Sequence, residues 1–365
     1  MAPVILRLRE TDGIESVVIS TGQHRELLPQ ALGVFGLAAD IDLDVMTAGQ
    51  SPLQTTVRVL DGCAGAFLSW KPDVVLVHGD TTTTVAASLA AFYAKIPVGH
   101  VEAGLRTGQR YSPFPEEMNR LVADRIAELH FAPTAAARDN LLREGVDPSG
   151  VFVTGNTGID ALLRIAGPRR PRADGAPRLI LVEAHRRENF GQPMCEIAES
   201  VRELARTRTD IEVLWSVHPN PEVDGPVRRI LGGVPRVSLC EPPPYDAWAR
   251  LLAEAYILLT DSGGLQEEAP ALGVPVLVLR ESTERPEAVA CGAAVLCGSA
   301  PERILGDVRR LLDEPDRYRS MAEAGSPFGD GRAAERTVAA LVHRFLGRGG
   351  RPTAFASGSV AGHEN

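Results

Sequence analysis

The sequence contains few cysteines, few aromatic residues and almost no lysine, and it has no long apolar run. Its five cysteines are scattered, odd in number and without the close pairs of a zinc site, so we interpret them as buried reduced thiols. No apolar run approaches the ~20 residues of a membrane-spanning helix, and charges follow the first apolar residues at once, unlike in a signal peptide. We therefore expect a cytoplasmic protein that does not bind a membrane.

Charge limits the partners further. The chain carries 38 basic and 47 acidic residues, a net charge of −9. This balance argues against a nucleic-acid partner, because proteins that bind nucleic acid gain affinity by neutralising many phosphates. A local basic pocket for a small phosphate compound remains compatible with it. The length of 365 residues and the hydrophobic content of 44% are typical of a globular chain with two domains of ~150–200 residues.

From about Ser16 onward, short β-branched runs alternate with helical patterns, which is typical of parallel α/β layers. A Pro/Gly/Arg-rich stretch over 166–177 separates two such series and is interpreted as a linker. The pattern predicts two Rossmann-like domains, at 1–166 and 178–332, with a cleft at the carboxyl ends of their strands. An amphipathic helix over 333–346 is expected to pack back on the first domain, and residues 347–365 are expected to be disordered.

In the first half, charged side chains follow the predicted strands. Asp80 comes directly after one buried strand, and Glu102 ends the next. Glu116 and Arg120 are four residues apart on one face of a predicted helix over 116–126. Taken singly, the string at 78–84, with its four threonines after Asp80, is also explained by helix capping. The spacing of Glu116 and Arg120 is also explained by a solvated ion pair on the protein surface.

The second half shows the same placement. His185–Arg187 follow a buried strand and offer an imidazole and two guanidiniums, which suits an anion site better than a surface basic loop. His218 ends another strand. Ser262–Gly264 end a third and would let backbone amides approach a pyrophosphate, while Glu267 or Glu268 would accept hydrogen bonds from ribose hydroxyls.

These strings, in this order, resemble the non-hydrolysing UDP-N-acetylglucosamine 2-epimerases, which have the glycosyltransferase-B fold. The resemblance runs from Met1 to about Phe345 and rests on the strings at 21–25, 78–84, 100–107, 112–120, 154–157, 185–189, 261–270, 280–287 and 329–331. The uninterrupted strings at 78–84 and 112–120 are similar to the non-hydrolysing branch rather than to the hydrolysing sialic-acid branch.

The resemblance implies reversible conversion of UDP-GlcNAc to UDP-ManNAc by loss of the C2 proton, anti elimination of UDP and readdition to a 2-acetamidoglucal intermediate. It leaves open which carboxylate takes the proton. The residues that match the family's catalytic positions are Asp80, Glu102, Glu116, Arg120 and His185. Those that match UDP-binding positions are His185, Arg186, Ser262, Gly263, Gly264 and Glu268, with Arg280, Thr283 and Glu284 close by.

The resemblance also bears on partners. Bacterial members bind a second UDP-GlcNAc as an allosteric activator, and the matching positions here are Gln23, Glu26, Arg58 and His218. Members are typically homodimers, and the helical face at 116–126 with its neighbouring helices is the expected contact surface. The mechanism needs no cofactor and no metal, and no G-x-G-x-x-G fingerprint follows a predicted strand.

Two features depart from the family pattern. Members begin with a strand and a Gly-Thr-Arg-Pro-Glu loop ahead of the position of Met1, so the first domain is expected to lack its first, central strand and its sheet to have a gap. Glu183 stands where a small or hydroxyl residue is more usual. This extra carboxylate would lower diphosphate affinity or point away.

Other functions stay open at this point. One alternative is an epimerase of a modified UDP-2-acetamido sugar, and another is an inactive or regulatory UDP-sugar-binding homologue without the first loop. A glycosyltransferase of the same fold is a third, but it would leave the three carboxylates Asp80, Glu102 and Glu116 without a joint purpose.

Overall fold

The computed structural model describes residues 1–22, 27–47, 49–170, 172–173 and 175–356. These residues form two compact units, one made of Met1–Ala161 with Gly331–Ala356 and the other of Leu162–Asp330. Both units combine parallel strands with helices, which confirms the α/β fold class predicted from the sequence.

Unit 1 contains six short strands. They are β1 (Ile19–Ser20), β2 (Ile41–Asp42), β3 (Val75–His78), β4 (Val98–Val101), β5 (Leu129–Ala132) and β6 (Val151–Val153). Strands β3 to β6 pair in order as one parallel sheet, and β1 pairs only with β2. Within the described part of the chain, no strand joins β1 to β3, so the sheet is divided where the sequence predicts a gap.

The helices of unit 1 follow its strands. They are α1 (Ala2–Arg9), α2 (Leu27–Gly33), α3 (Pro52–Trp70), α4 (Thr82–Tyr93), α5 (Glu116–Ile126) and α6 (Ala135–Arg143), and α7 (Thr157–Ala166) leads into unit 2. Helix α3 starts at a capping box, in which Ser51 and Gln54 bind each other's backbone amides. Thr81 caps α4, because its hydroxyl accepts from Thr84 N at 3.3 Å. Helix capping therefore explains Thr81 within the string at 78–84.

Unit 2 is built on one six-stranded parallel sheet. Its strands are β7 (Arg178–Glu183), β8 (Ile211–Ser216), β9 (Val237–Cys240), β10 (Ile257–Thr260), β11 (Val276–Val278) and β12 (Ala294–Leu296), in the order β12-β11-β10-β7-β8-β9. The middle of β7 and all of β10 are buried, as expected for strands covered on both faces. The strand order reverses between β7 and β10, and the carboxyl ends of two such strands are where α/β sheets hold ligands.

The helices of unit 2 are α8 (Gln192–Thr207), α9 (Pro221–Leu231), α10 (Tyr245–Glu254), α11 (Gly263–Ala271), α12 (Pro286–Ala290), α13 (Pro301–Asp313) and α14 (Pro315–Ala322). The core of this unit includes Trp215, Met194 and Leu204, which are fully buried. Among the residues that the structure describes, no helix combines the length and the apolar character that crossing a membrane requires.

The last helix, α15 (Ala333–Leu346), belongs to unit 1 and packs against α1. Residues 347–356, which we expected to be disordered, also lie against unit 1. Phe355 donates its backbone N–H to Val153 O at 2.8 Å and is buried, and the Arg351 guanidinium donates to Ser149 O at 2.7 Å. The expectation was wrong for this stretch because one apolar and one cationic side chain anchor it; residues 357–365 lie outside the described residues.

All five cysteines are free thiols. Cys63 and Cys297 are buried, but Cys195 and Cys240 are half-buried and Cys291 is exposed. The interpretation as buried thiols is therefore wrong for Cys291.

Candidate functional site

In unit 1, two carboxylates meet one guanidinium at the ends of neighbouring strands. His78 of β3 pairs with Val101 of β4, so the residues that follow them emerge at the same edge of the sheet. Arg120 of α5 forms an ion pair with Asp80, donates to the backbone carbonyl of Glu102, and has Nη1 3.6 Å from Glu102 Oε2. We call Asp80, Glu102 and Arg120 the carboxylate cluster.

The backbone is shaped to bring the carboxylate cluster together. Glu102 has a φ of +67°, in the left-handed region that non-glycine residues rarely adopt. Gly79 has a φ of +70°, and a Cβ at that position would lie 3.0 Å from Glu102 Oε2. Glycine therefore both permits the turn after β3 and leaves room for the Glu102 carboxylate.

A buried network behind the carboxylate cluster holds these loops in place. The His100 ring contacts Gly79 O at 2.7 Å and Asp124 Oδ1 at 2.6 Å, and both side chains are almost fully buried. Asp124 Oδ2 also accepts from Gly104 N at 3.1 Å and from Arg106 at 2.7 Å. Sequence reasoning missed Asp124 because its partners lie far from it along the chain.

The expected pair between Glu116 and Arg120 does not form. Arg120 is buried and turns to Asp80 and Glu102, so the surface-bridge explanation of the spacing is wrong. Within the part of the chain that the structure describes, the half-buried Glu116 has no hydrogen bond or ion pair with the carboxylate cluster. Its neighbour Glu117 is buried instead and accepts from Thr107 N at 3.0 Å and Gly108 N at 2.9 Å.

In unit 2, the ends of β7 and β10 carry a second group of charged residues. Glu183 of β7 pairs with Thr260 of β10, which places the next residues of each strand side by side. Asp261 is fully buried and accepts from His185 N at 3.0 Å, Arg186 N at 2.9 Å and Asn189 Nδ2 at 2.8 Å. This carboxylate fixes the loop that carries His185, a role that sequence reasoning missed because it depends on the strand register.

The His185 ring is held on its edge and on its face. Glu183 Oε1 contacts Nδ1, and the His218 ring stacks on it with centroids 5.4 Å apart. The hydrogen bond to Glu183 is the main reason that the pKa of His185 is raised. Glu183 therefore neither points away nor is left free to repel a diphosphate, because its two oxygens are engaged by His185 and Thr260. We call Glu183, His185, Arg186 and Asp261 the histidine cluster.

Glu183, His185 and Asp261 offer oxygen and nitrogen atoms within 4.8 Å of one another, a spacing compatible with a metal ion. The oxygens of Asp261, however, already accept three N–H groups, and Glu183 contacts the imidazole directly. These contacts favour a hydrogen-bonded network over a metal centre.

Two guanidiniums flank the start of α11. A Cβ built on Gly263 would lie 3.7 Å from Arg285 Nη2 and 3.8 Å from Arg186 Nη2. Arg285 is paired with Glu267, and the buried Nε of Arg186 has no hydrogen-bond partner among the described residues. Cations beside the free N–H groups of a helix N-terminus make this strand end suited to an anion such as a diphosphate.

Glu268, one turn into α11, differs from Glu267. Tyr245 donates its hydroxyl to Glu268 Oε1 at 3.3 Å, and burial raises the pKa of Glu268 to about 7. Because Glu267 is occupied by Arg285, Glu268 is the better placed of the two to accept further hydroxyl donors.

The remaining predicted ligand residues belong to the loop after β11. The Arg280 guanidinium pairs with Glu188, and the Thr283 hydroxyl donates to the Gln266 side chain. Glu284 Oε2 lies 3.8 Å from Arg285 Nη1. The loop is thus tied to α11 and to the segment after His185.

The predicted allosteric residues are distributed over both units. In unit 1, Arg58 donates to Val45 O at 3.2 Å. In unit 2, His218 stacks on His185 and accepts from Asn220 N at 3.1 Å. Gln23 and Glu26 lie outside the described residues, so the allosteric role stays a prediction.

Comparison with known proteins points to one family. The family model described as UDP-N-acetylglucosamine 2-epimerase matches residues 6–342. The UDP-N-acetylglucosamine 2-epimerase of Escherichia coli K12 is 48% identical over 95% of this chain and 96% of its own, and that of Bacillus subtilis is 46% identical over 97% and 94%. The crystal structure of UDP-GlcNAc 2-epimerase from Neisseria meningitidis, bound to UDP-GlcNAc, is 44% identical, with a TM-score of 0.82 over 94% of this chain and 96% of that one.

Proposed function

The chain belongs to the UDP-N-acetylglucosamine 2-epimerase family, whose members are isomerases, and on that premise we propose that it interconverts UDP-GlcNAc and UDP-ManNAc by inverting C2 of the sugar. The observation that carries this proposal is the carboxylate cluster, in which Asp80 and Glu102 share the buried Arg120 guanidinium. The Neisseria meningitidis relative is bound to UDP-GlcNAc, which supports the same substrate here.

The carboxylate cluster suits the proton steps. The C2 proton is only weakly acidic, so its removal needs a positioned base, and inversion requires a proton to return to the opposite face of C2. Asp80 and Glu102 come from two neighbouring strand ends and so offer two carboxylates at different positions around one guanidinium. Because Arg120 orients both carboxylates, we infer that Asp80 and Glu102 act in the same reaction.

The residues at the β7 and β10 ends suit the nucleotide. When the C1–O bond breaks by anti elimination, UDP takes the bonding electrons and its charge grows, which gives the 2-acetamidoglucal and free UDP. We assign stabilisation of that charge to Arg186, His185 and the N-terminus of α11, because cations and free N–H groups stabilise a departing phosphate. Readdition of UDP to the glucal, with protonation of C2, completes the epimerisation. Glu268 is assigned to the ribose hydroxyls.

Incubation with UDP-GlcNAc in deuterated water tests this function. We expect UDP-ManNAc with deuterium at C2, because the proton returned to C2 comes from a group that exchanges with solvent. A folded chain that binds UDP and incorporates no deuterium would contradict the proposal and favour a regulatory UDP-sugar-binding homologue. A glycosyltransferase would form product only when an acceptor is present.

The Asp80→Asn variant sharpens the assay. It keeps the size of the side chain and a partner for Arg120, so we expect UDP affinity within about twofold of wild type and a loss of turnover of at least ~100-fold. Asp139→Asn, the same change at an exposed site on α6, is the control. A parallel loss of UDP affinity would mean that Asp80 is structural.

We also propose that the chain forms a homodimer. Helices α3 and α4 pack together and carry several large apolar side chains that are each at least 50% exposed. These are Leu53, Val57, Leu68, Trp70, Phe92 and Tyr93. Extensive apolar exposure of this kind is typical of a protein–protein contact surface. The helix at 116–126 has Val122 as its exposed large apolar residue within the described chain. We therefore assign the contact to α4, which packs against that helix, and to α3, which packs against α4.

A further inference from the structure

Glu183 is a charged residue at the end of a buried strand, and the function proposed above does not use it. Its side chain is 18% exposed. Oε2 accepts from Thr260 Oγ1 at 3.0 Å, a contact set by the pairing of Glu183 with Thr260 between β7 and β10, and Oε1 contacts His185 Nδ1. Both carboxylate oxygens are therefore engaged, and the side chain is held in one orientation.

This orientation decides which nitrogen of His185 carries a proton. An ionised carboxylate accepts hydrogen bonds only, so Nδ1 must be the donor in its contact with Glu183. Nε2 is then the nitrogen left to face a ligand, and stacking on His218 restricts rotation of the ring.

Asp261 cannot replace Glu183 in this role. Its Oδ1 is 4.0 Å from His185 Nδ1, and its oxygens already accept from His185 N, Arg186 N and Asn189. Glu183 is thus the carboxylate that bonds the ring, while Asp261 bonds the loop that carries it.

We propose that Glu183 is a positioning residue: it holds the His185 imidazole in one orientation through Nδ1, so that Nε2 is the nitrogen that binds a diphosphate. The identity of the diphosphate as that of UDP rests on the proposed function. Carboxylates that orient a histidine in this way are common behind metal-bound and catalytic imidazoles, where they fix the tautomer and increase basicity.

The charged groups that face His185 oppose one another. Glu183 and Asp261 raise the pKa of His185, burial and the Arg186 guanidinium lower it, and the stacked His218 ring covers one face. The net direction is upward, and the largest cause is the hydrogen bond that the His185 ring donates to Glu183. Removal of the Glu183 charge should therefore lower the pKa of His185.

The test measures the ring directly. Glu183→Gln keeps the size of the side chain and a partner for Thr260 but removes the charge. Proton NMR of the imidazole, with the His185 resonance identified by its loss in His185→Gln, follows the titration in full-length protein without UDP. We expect the pKa of His185 to fall in Glu183→Gln and to stay unchanged in Glu203→Gln, the same substitution at an exposed site on α8.

Calorimetry of UDP binding over a range of pH provides the second measurement. Between the pKa of His185 in the variant and that in wild type, only wild type carries the cationic ring, so UDP should bind about tenfold more weakly to the variant there. At lower pH both rings are protonated and the affinities should converge. Comparison at each pH cancels the titration of Glu268, which both proteins share.

An unchanged pKa of His185 in Glu183→Gln, or an affinity loss equal at every pH, would overturn the inference. If Glu183→Gln does not fold, Glu183→Thr provides the same test with a residue suited to a strand. The titration needs neither UDP nor turnover. A lowered pKa in a chain that fails to epimerise would therefore refute the proposed function and leave the positioning role standing.

Discussion

Glu268 should make the stability of unit 2 depend on pH in a direction opposite to that of most carboxylates. Burial raises its pKa from 4.5 to about 7, partly offset by the hydroxyl of Tyr245. The folded state thus binds the proton more tightly than the unfolded chain, and the protein should lose stability as pH rises from about 4.5 to about 7. In Glu268→Gln, which cannot ionise, this loss should be absent.

The magnitude follows from the two pKa values. A difference of about 2.5 units at 1.36 kcal/mol each is about 3 kcal/mol, an upper figure because part of the side chain still meets solvent. We therefore expect the stability of Glu268→Gln relative to wild type to increase by up to about 3 kcal/mol from pH ~4.5 to pH ~8.

Urea unfolding followed by tryptophan fluorescence is the assay. Trp215 is fully buried in unit 2 and reports on that unit. Glu254→Gln, the same substitution at an exposed glutamate of α10, is the control for the loss of one carboxylate. If the free energy of unfolding of Glu268→Gln differs from that of wild type by the same amount at every pH, the reasoning from burial is refuted.

Saturating UDP extends the test to the assigned role. If ribose hydroxyls donate to the Glu268 carboxylate, bound UDP should lower the pKa of Glu268 and flatten the pH dependence. An unaltered dependence in the presence of bound UDP would remove Glu268 from the nucleotide site.

Two further outcomes are expected. Arg120→Lys replaces a planar fork that reaches Asp80 and Glu102 at once with a single ammonium, so turnover should fall at least ~100-fold while UDP affinity, measured by calorimetry, stays within about twofold; an equal loss of both would contradict the assignment. Sedimentation should show a dimer for wild type and a monomer for the double variant Leu68→Glu, Phe92→Glu, with Val122→Glu on α5 as the dimeric control; a dimer that survives the double variant would place the contact elsewhere.

Local sequence signals predicted the bounds of elements whose ends they mark clearly. The bounds of α5 at Glu116–Ile126 match the sequence prediction, because a proline and two acidic residues mark the start of this helix. The β-branched run at 17–20 predicts a strand of that length, but β1 covers only Ile19–Ser20. A short strand paired on one side has few contacts that fix its ends.

Positions at strand ends were predictable, whereas partners were not. Asp80, Glu102, His185 and Ser262 follow buried strands, and parallel topology brings such residues to one edge within a unit. Helical spacing suggested Glu116 as the partner of Arg120, but in the folded chain Arg120 forms its ion pair with Asp80. Glu117, rather than Glu116, is the buried glutamate of this turn. The contact of Glu183 with His185, two residues away, follows from side-chain orientation at the end of β7, which spacing alone does not specify.

The position of α15 has a consequence for the order in which the chain folds during synthesis. One core of unit 1 combines Val4, Leu8 and Phe131 with Val338 and Leu341, and Asp160 accepts from the first backbone amides of α15 at 2.8–3.1 Å. The ribosome makes α15 only after Leu162–Asp330, the continuous segment that holds the described residues of unit 2. Unit 2 can therefore close as it emerges, while unit 1 keeps an apolar surface open until its last helix arrives. A chain with such a surface exposed is prone to aggregation.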